Sequence, residues 1–414
     1  MKILFSAAAY KPAWRIGGPV ASVSALAESL VGRGHEVTVF TTNSNLDQDL
    51  DVPTDRLVEV QGVQVRYFRR EEPLKRYLPW FKYLSQSIGT LYTPEMSAAL
   101  QEIAPRVDLM HTHLPFIYPT LATARAAFQS DIPLFYHQRG AFDSEHLKYR
   151  ALKKAVYLSL VEKPILRKAT TLFALTEAER AGYAALGVST PCRVVPNGVN
   201  LPTPCTAEAD EIVAGEFGIA PHHKLVLFLG RLHPTKGAER LLHAFERIAA
   251  NHPEAILVLA GPDEFEIEKG FASRAEAAGL AHRVRFPGMV TGERKSALLH
   301  RADLFCLPSD AEGFSMAILE ALAHQTAVLI SPRCFFPEVA EVGAGRIVEP
   351  TVDHLVAALR EMLAQPAALK AMGRAGQALV ADRYTWNSVT SRMVDAYEEG
   401  IDRHSHGTAP QWTP

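Results

Sequence analysis

Short apolar runs alternate with amphipathic segments along this chain. Strand-like runs in the first half cover residues 2–8, 36–41, 63–69, 109–113, 134–138, 171–175 and 193–196. Those in the second half cover residues 225–229, 256–260, 284–287, 304–307, 328–331 and 346–348. Segments with helical spacing include residues 238–250, 315–324, 352–364, 366–381 and 386–401. Strands that alternate with helices predict an α/β protein whose parallel sheets are covered by helices on both faces.

A proline-rich segment at residues 201–206 separates the two halves. The chain has 414 residues, which is more than a single hydrophobic core usually holds, so the segment is interpreted as a linker between two domains. The predicted domains cover residues 1–203 and 204–385, and a final helix at residues 386–401 follows the second core.

A basic turn follows the first strand of the second half. The strand-like run ends at Gly230, Arg231 and Lys236 lie in the turn, and a helical segment starts after Gly237. Arginine offers phosphate oxygens a fixed fork of donors, and lysine offers a mobile point charge. A solvated basic turn would have the same composition, and the G-x-x-x-x-G-K-[ST] pattern of a P-loop is absent.

An acidic turn follows the strand at residues 304–307. Glu312 lies in this turn, and Glu320 lies just over one turn into the helix that follows. Ligands of open α/β sheets bind at the carboxyl ends of the strands, where a helix N-terminus offers free N–H groups to an anion. Two acids there would repel the anion unless they bind neutral hydroxyls. The alternative is a pair of ordinary surface glutamates.

Together the two turns predict a nucleotide-sugar site in which cations bind the diphosphate and acids bind hydroxyls. The motifs resemble the retaining glycosyltransferases of family 4, which have the GT-B fold. The matching residues run in the family's order: Gly17-Gly18-Pro19, the segment 30–39, Pro196-Asn197-Gly198-Val199-Asn200, Gly230-Arg231, Lys236-Gly237, the segment 307–323 and Tyr384-Thr385-Trp386. The resemblance implies two Rossmann-like parallel-sheet domains that face a central cleft, with the C-terminal helix crossing back to the first domain.

The resemblance also implies the reaction. It implies that a hexosyl-type sugar is transferred from a nucleotide-diphosphate sugar with retention at the anomeric carbon and without a metal. The second domain would bind the donor and the first would bind the acceptor. Arg231, Lys236 and the helix N-terminus would stabilise the departing diphosphate. Glu320 would bind the ribose, and Glu312 the transferred sugar.

The predicted donor-binding set combines these motifs. It consists of Gly17, Gly18, Gly230, Arg231, Lys236, Met289, Glu312, Gly313, Phe314, Ser315 and Glu320. Because no enzyme nucleophile is evident, we expect same-face attack by the acceptor hydroxyl, with the leaving phosphate taking its proton.

Two strand ends in the first half carry further candidates. His111 and His113 end one strand, and a metal site there would need a third ligand that the sequence does not identify. His137 and Arg139 end the next strand. The resemblance implies that one residue here approaches the sugar, and many relatives have histidine where Arg139 stands. His137 is slightly favoured and joins Arg231, Lys236 and Glu312 as a predicted catalytic residue; His113 and Arg139 are acceptor-side candidates.

Other features exclude alternatives. Asp47-Gln48-Asp49 has the D-x-D spacing of metal-dependent glycosyltransferases, but it lies in a polar loop, so a solvated loop is favoured and no metal or cofactor is expected. A net charge of -2 gives no field that would recruit nucleic acid. Four cysteines without C-x-x-C spacing indicate a reducing compartment. The apolar start is short and doubles as a strand, which favours a cytoplasmic protein over a secreted one.

Two basic-aromatic stretches, residues 74–84 and 146–158, are candidates for peripheral contact with an anionic membrane. The acceptor would then be a glycan or a lipid-linked molecule, in bacterial polysaccharide, lipopolysaccharide or glycolipid assembly. Ordinary surface helices with extended lysines would look the same. Two other functions fit the same motifs: a sugar-nucleotide epimerase of this fold, and a non-catalytic nucleotide-sugar binder.

Overall fold

The computed structural model describes residues 1–46, 48–71, 91–142, 151–202, 206–263 and 265–407. The chain divides into two compact units. Unit 1 contains Met1–Gly198 together with Trp386–Pro414, and unit 2 contains Val199–Thr385. The boundary expected from the sequence was at residue 203.

Unit 1 is built on an eight-stranded sheet with the order β10-β9-β8-β7-β1-β2-β6-β5. Its strands are β1 Lys2–Ser6, β2 Glu36–Thr42, β5 Val58–Val60, β6 Val63–Phe68, β7 Leu109–His113, β8 Leu134–His137, β9 Thr171–Ala174 and β10 Cys192–Val194. All neighbours are parallel except β5 and β6. Strands β3 Ser44–Asn45 and β4 Gln48–Asp49 form a separate antiparallel ribbon.

The helices of unit 1 lie between its strands along the chain, except for the C-terminal helix, which follows unit 2. They are Gly18–Gly32, Pro94–Ile103, Tyr118–Gln129, Ala151–Tyr157, Lys163–Lys168, Glu177–Ala185 and Trp386–Ser405, with a π-helical turn at Leu158–Glu162. The sheet contributes to two separate apolar clusters, as a parallel sheet covered on both faces does. One cluster includes Leu4, Met110 and Tyr136. The other includes Phe5, Leu109 and Phe135, their neighbours along the strands.

The C-terminal helix Trp386–Ser405 packs within unit 1. Trp386 and Tyr397 are buried in the same cluster as Phe5. Nη2 of Arg33 donates to the carbonyl oxygen of Asn387 at 2.6 Å. The helix is amphipathic, and its apolar face completes one layer of the unit 1 core.

Unit 2 contains a six-stranded sheet with the order β13-β12-β11-β14-β15-β16. Its strands are β11 Lys224–Leu229, β12 Ala255–Ala260, β13 Val284–Arg285, β14 Leu304–Leu307, β15 Ala327–Ile330 and β16 Gly345–Ile347, all parallel. The central strands are nearly continuous apolar runs, because both faces of the sheet are covered.

The helices of unit 2 precede, connect and follow its strands along the chain. They are Thr206–Phe217, Ala238–Ile248, Glu268–Ala277, Gly292–Arg301, Met316–Ala323, Glu338–Glu341, Val352–Leu363 and Pro366–Arg383. One large apolar cluster runs through the unit, from Val199 to Tyr384. Strands β11 and β14 are far apart in the chain but are parallel neighbours in the sheet. Their carboxyl ends therefore lie side by side at one edge of the sheet, where the candidate site is found.

Candidate active site

The loops after β11 and β14 lie directly against each other. Gly237 has φ +76°, and a Cβ atom at this position would lie 2.1 Å from the carbonyl oxygen of Pro308. Only glycine permits both this backbone conformation and this close approach. The amide of Asp310 and the hydroxyl of Ser309 also donate to the carbonyl oxygen of Thr235, at 2.7 and 3.1 Å. The basic and acidic turns predicted from the sequence therefore form a single site.

The two charged side chains from these loops form an ion pair. Nζ of Lys236 donates to Oε1 of Glu312 at 2.6 Å. The Glu312 side chain is only 8% exposed and that of Lys236 is 19% exposed. The amide of Glu312 also donates to the carbonyl oxygen of Arg333 at 3.2 Å, which fixes the main chain behind the carboxylate. Glu312 is therefore an enclosed, paired acid rather than a solvated loop residue.

Glu320 is paired in a similar way, one turn into the helix Met316–Ala323. Nζ of Lys295 donates to its Oε1 at 2.7 Å. Lys295 belongs to the neighbouring helix Gly292–Arg301 and was not among the predicted site residues. Behind the pair, His324 lies 2.7 Å from the carbonyl oxygen of Glu320 and 2.9 Å from the hydroxyl of Ser296. Burial lowers the pKa of His324, so it contributes a neutral hydrogen-bonding group there.

The N-terminus of the helix Met316–Ala323 has no side-chain cap. Its N-cap residue Ser315 is extended and makes no capping hydrogen bond. Phe314, just before it, packs on Phe336 and Tyr384 with ring centroids 5.4 and 5.9 Å apart. The aromatic contacts fix the start of the helix while its first N–H groups remain open, as an anion site requires.

The remaining donor-side candidates of unit 2 lie at the same edge of its sheet. The amide of Gly230 donates to the carbonyl oxygen of Ala260 at 2.9 Å, and Arg231 follows as an exposed residue. Met289 follows β13 and is 57% exposed, which is unusual for a methionine. β13 lies beyond β12, so Met289 is two strands from the paired turns.

Gly17 and Gly18 begin the first helix of unit 1. Gly17 has φ +86° and ψ -140°, a conformation that only glycine adopts readily, and it is the N-cap of the helix Gly18–Gly32. Both glycines are exposed, and a Cβ atom on either would meet nothing within 4 Å. A ligand can therefore approach the backbone here.

Three histidines lie together beneath the carboxyl end of the unit 1 sheet. His111, His113 and His137 are at most 1% exposed, and one nitrogen of each lies within 4.8 Å of those of the other two. His137 is thus the third member that the sequence did not connect to the pair in β7. Burial lowers the pKa of all three well below the usual range, so the rings are neutral. His137 has almost no surface with which to touch a ligand.

Arg139 lies two residues beyond the carboxyl end of β8, the strand that ends at His137, and has φ +50°. Its Nε donates to Nδ1 of His113 at 3.2 Å, and its Nη1 donates to Ser22 at 2.9 Å and to Asn197 at 3.0 Å. Nδ1 of His113 therefore carries the lone pair and Nε2 carries the proton, which prevents Nε2 from ligating a metal in this arrangement. Of the two residues considered for the sugar-facing position, Arg139 is partly exposed and His137 is buried.

The D-x-D segment has no organised acidic site in its described part. Asp49 is 46% exposed and pairs with Nε of Arg70 at 2.6 Å. Asp51 is exposed, and Asp47 lies outside the described residues. The expected solvated loop is instead, in its described part, a short antiparallel ribbon of Ser44–Asn45 and Gln48–Asp49.

None of the helices in the described ranges combines the length and the apolar composition that a membrane crossing needs. The predicted basic-aromatic stretch at residues 74–84 lies outside the described residues, as does the first part of the stretch at 146–158.

Solved structures identify the fold. Sucrose-phosphate synthase from Thermosynechococcus elongatus superposes with a TM-score of 0.74 at 21% identity, covering 96% of this chain and 99% of that one. The HepE protein of Anabaena, solved in complex with UDP-glucose, superposes with a TM-score of 0.73 at 20% identity, covering 96% of this chain and 100% of that one. The predicted GT-B fold class is confirmed.

Sequence comparison identifies the family. Residues 17–198 match the family described as glycosyl transferase 4-like domain, and residues 211–379 match glycosyl transferases group 1. A phosphatidyl-myo-inositol mannosyltransferase of Mycolicibacterium smegmatis is 29% identical over 299 residues, covering 70% of this chain and 71% of that protein. A D-inositol 3-phosphate glycosyltransferase of Kineococcus radiotolerans is 26% identical over 409 residues, covering 93% and 91%. The chain is a family-4-type glycosyltransferase, as the resemblance indicated.

Proposed function

We propose that this chain is a retaining, metal-independent glycosyltransferase that transfers a sugar from a nucleotide-diphosphate sugar to an acceptor hydroxyl. The observation that carries the proposal is the contact between Lys236 and Glu312. These residues are 76 positions apart, yet they lie 2.6 Å from each other at the carboxyl ends of β11 and β14. A cation for phosphate and an acid for hydroxyls therefore stand side by side, as the adjoining diphosphate and sugar of the donor require.

The chemical demand is to stabilise negative charge on the diphosphate as it leaves. Lys236 would meet its oxygens with Arg231 and with the open N–H groups that begin the helix Met316–Ala323. The ion pair to Glu312 orients Lys236 before the donor binds. Preorganised donors of this kind stabilise a transition state because they need no rearrangement when the charge develops.

The two acids would bind the neutral parts of the donor. Glu320, on the helix, would accept hydrogen bonds from the ribose hydroxyls. Glu312, in the loop, would accept them from hydroxyls of the transferred sugar. Each acid is already paired with a lysine, at 2.7 and 2.6 Å, so neither brings an unpaired negative charge to the diphosphate.

For the chemical step we favour attack by the acceptor hydroxyl on the face from which the diphosphate leaves. The bond from the anomeric carbon to the phosphate oxygen breaks, the bond to the acceptor oxygen forms, and the phosphate oxygen takes the acceptor's proton. No side chain is assigned as a covalent nucleophile. Lys236, Arg231 and the helix N-terminus supply the electrostatic stabilisation that a divalent cation supplies in other transferases.

For the acceptor we infer a hydroxyl of a glycan or of a lipid-linked molecule, reached by peripheral contact with an anionic membrane on the cytoplasmic side. Relatives whose names include phosphatidyl-myo-inositol and inositol 3-phosphate support a small or lipid-linked acceptor. In unit 1 itself, Val156 and Leu160 are 51% and 72% exposed. Lys163 and Arg167 follow in the next helix, so apolar and cationic side chains lie close together in the chain.

A panel of UDP-, GDP- and ADP-sugars measured by thermal shift tests the donor assignment. A donor present at 100 times its Kd stabilises the folded chain by about 2.7 kcal/mol. The donor that stabilises is then incubated with candidate acceptors, and the anomeric configuration of the product is read by NMR. An inverted product contradicts the retaining mechanism. A released epimer indicates an epimerase, and binding with neither hydrolysis nor transfer indicates a non-catalytic binder.

A further inference from the structure

An apolar groove of about 200 Å³ lies on unit 1, between the helix Tyr118–Gln129 and the segment 158–168. Seven of its nine lining residues are apolar, and the most buried of them are Ala124 and Ile165, at 1% and 5% exposure. Leu160 also lines the groove and is 72% exposed. Covering these side chains would remove apolar surface from water, so the groove is a candidate binding surface for an apolar partner.

The two charged side chains that line the groove are both cations, Arg125 and Lys168, and no acid is among its described lining residues. Arg125 is exposed, and within the described ranges it makes neither a hydrogen bond nor an ion pair. Nζ of Lys168 lies 5.5 Å from the ring centroid of Phe128, another lining residue. Positive charge therefore borders the apolar surface directly. An aliphatic chain that carries an anionic group matches both properties.

The groove extends toward the amino edge of the unit 1 sheet. The helix Tyr118–Gln129 follows β7, so it begins at the carboxyl edge and ends near the amino edge, where β8 starts. Lys168 lies three residues before Thr171, the first residue of β9, and Phe128 lies one residue before the end of its helix. The cationic end of the groove is therefore remote from the carboxyl edge, where the acceptor-side candidates lie. An occupant of the groove is not the group that reacts.

We propose that this groove binds one acyl chain of an anionic membrane phospholipid, whose head group contacts Arg125 and Lys168. The groove is smaller than an ordinary small-molecule pocket, so it holds part of a flexible chain rather than a whole compact ligand. The apolar lining selects for a chain, and the cations select for an anionic head group. The inference rests on the proposed function in one respect, because it assumes that unit 1 works at an anionic membrane. It goes beyond that function by assigning a site to an individual lipid.

The first test needs neither a bilayer nor turnover. Decyl phosphate and the neutral decyl maltoside are titrated calorimetrically into the full chain, each below its critical micelle concentration. Decyl phosphate should bind more tightly. Arg125→Ser with Lys168→Ser should weaken it about 10- to 100-fold, as expected for lost hydrogen bonds from charged donors, and should leave decyl maltoside within about twofold.

The matched control removes two other exposed cations of unit 1, by Arg106→Ser with Arg180→Ser. These side chains are 73% and 54% exposed and pair with Glu102 and Glu177. This variant has the same change in net charge and should bind decyl phosphate like the wild type. Equal affinity of the wild type for the two probes, or equal losses in the two double variants, overturns the proposal.

The apolar part of the groove is tested by two further variants. Ala124→Leu fills the groove and should abolish binding of both probes. Because Ala124 is buried, this variant can fail to fold, so Leu160→Ser is measured beside it; Leu160 is exposed, and its loss should weaken both probes about tenfold. Leu57→Ser, which removes another exposed leucine of unit 1, should change neither affinity. Undiminished binding in Leu160→Ser contradicts a chain in this groove.

The source of the chain is tested with phosphatidylglycerol vesicles in which the lipid carries a photoreactive group at the end of one acyl chain. Mass spectrometry should map the crosslinks to residues 118–129 and 158–168. Crosslinks spread over the surface overturn the proposal, as does competition between decyl phosphate and the acceptor in the transfer reaction, which would assign the groove to the acceptor. Self-association that Leu160→Ser abolishes would assign it to a second copy. Failure of the glycosyltransferase assignment would appear in the donor panel and the transfer assay, whereas the titrations and crosslinks are independent of both.

Discussion

Lys295 donates to the carboxylate of Glu320 at 2.7 Å, across two neighbouring helices of unit 2. The side chains are 31% and 19% exposed, so the pair is partly shielded from water. The acid proposed to bind the ribose therefore has its orientation set before any nucleotide arrives. Lys295 is a positioning residue in this view, because it acts through Glu320.

Glu320→Ala should weaken binding of the bare nucleoside diphosphate by about 10- to 100-fold, since hydrogen bonds to a charged acceptor contribute roughly 1.5–3 kcal/mol. Lys295→Met should give a smaller loss in the same direction. Glu312→Ala should instead leave the bare nucleotide affinity nearly unchanged and reduce discrimination between donor sugars. Isothermal titration with the nucleotide and with its sugar conjugates measures all three effects.

Arg294→Met is the matched control for Lys295→Met. Arg294 is the preceding residue on the same helix and pairs with Glu216 at 2.6 Å, both side chains being 46% exposed. Because exposed pairs contribute little, this variant should bind the nucleotide like the wild type. If Lys295→Met and Arg294→Met bind the nucleotide equally well, Lys295 does not position Glu320. If Glu320→Ala prefers ribonucleotides over 2′-deoxynucleotides as strongly as the wild type does, the ribose assignment is wrong.

Lys236→Ala and Arg231→Ala should each reduce kcat by about 10²–10³, the usual cost of removing one donor that stabilises developing negative charge. Arg231→Ala should unfold near the wild-type temperature because Arg231 is exposed, whereas Lys236→Ala should remain folded with a lower unfolding temperature, because the enclosed carboxylate of Glu312 loses its partner. Arg247→Ala breaks the exposed Arg247–Asp353 pair of the same unit and serves as the control. A folded Lys236→Ala enzyme with near-wild-type kcat would contradict the phosphate role.

Turnover should continue in excess EDTA. The proposed mechanism obtains its electrostatic stabilisation from Lys236, Arg231 and a helix N-terminus, and the described acids of the D-x-D segment are solvated or paired with Arg70. The measurement is the initial transfer rate before and after dialysis against EDTA. Loss of activity that Mg²⁺ or Mn²⁺ restores would contradict metal independence and would make the segment at residues 47–51 the candidate metal site.

Most of the fold could be predicted because its strands are buried on both faces and appear as continuous apolar runs. β7 Leu109–His113 and β14 Leu304–Leu307 coincide with the predicted segments, and the other predicted strands agree to within a few residues at each end. The short strand Val58–Val60 was missed, since three residues with one charge in the middle give little periodic signal. Its turn, Gln61-Gly62, has positive φ at both residues, and a hairpin is the usual setting for such a turn.

The candidate site was only partly predictable. Its charged residues lie in recognisable turns after strands, but their ion-pair partners come from distant parts of the chain. Glycine turns and charged residues after strands identified Lys236, Glu312 and Glu320. Lys295 carries no such signal, since it lies inside an ordinary amphipathic helix and becomes relevant only through the packing of that helix. His137, in contrast, was predicted from its position at a strand end. Its burial among His111 and His113 could not be predicted, because it depends on strand register across the sheet.

The unit 1 core should lose stability as the pH falls below about 6.5. His111, His113 and His137 have folded-state pKa values well below that of an unfolded histidine, because burial disfavours the charged ring. The unfolded chain therefore binds more protons than the folded one between the two pKa values. Three such groups reduce the free energy of unfolding by up to about 4 kcal/mol per pH unit in that window, and above pH 6.5 their contribution is constant.

Urea denaturation at pH 7.5, 6.5 and 5.5 measures this slope, which should become shallower in His137→Phe. His354→Ala is the control, because His354 is exposed on a unit 2 helix. A slope equal in the wild type and in His137→Phe would show that the cluster does not remain neutral in the folded protein.

Val156→Ser with Leu160→Ser should weaken binding of this protein to anionic liposomes at low salt. These side chains are 51% and 72% exposed and four positions apart, on a segment that also carries Lys163 and Arg167. Each cation near an anionic surface contributes about 1 kcal/mol, and insertion of apolar side chains adds to it, so attachment should be weak, reversible and salt-sensitive. Leu57→Ser removes another exposed leucine, 47% exposed, as the control. Co-sedimentation with anionic vesicles measures the binding. Equal binding by the double variant and the Leu57→Ser control, or no binding by the wild type at low salt, would favour an acceptor that is not held in a membrane.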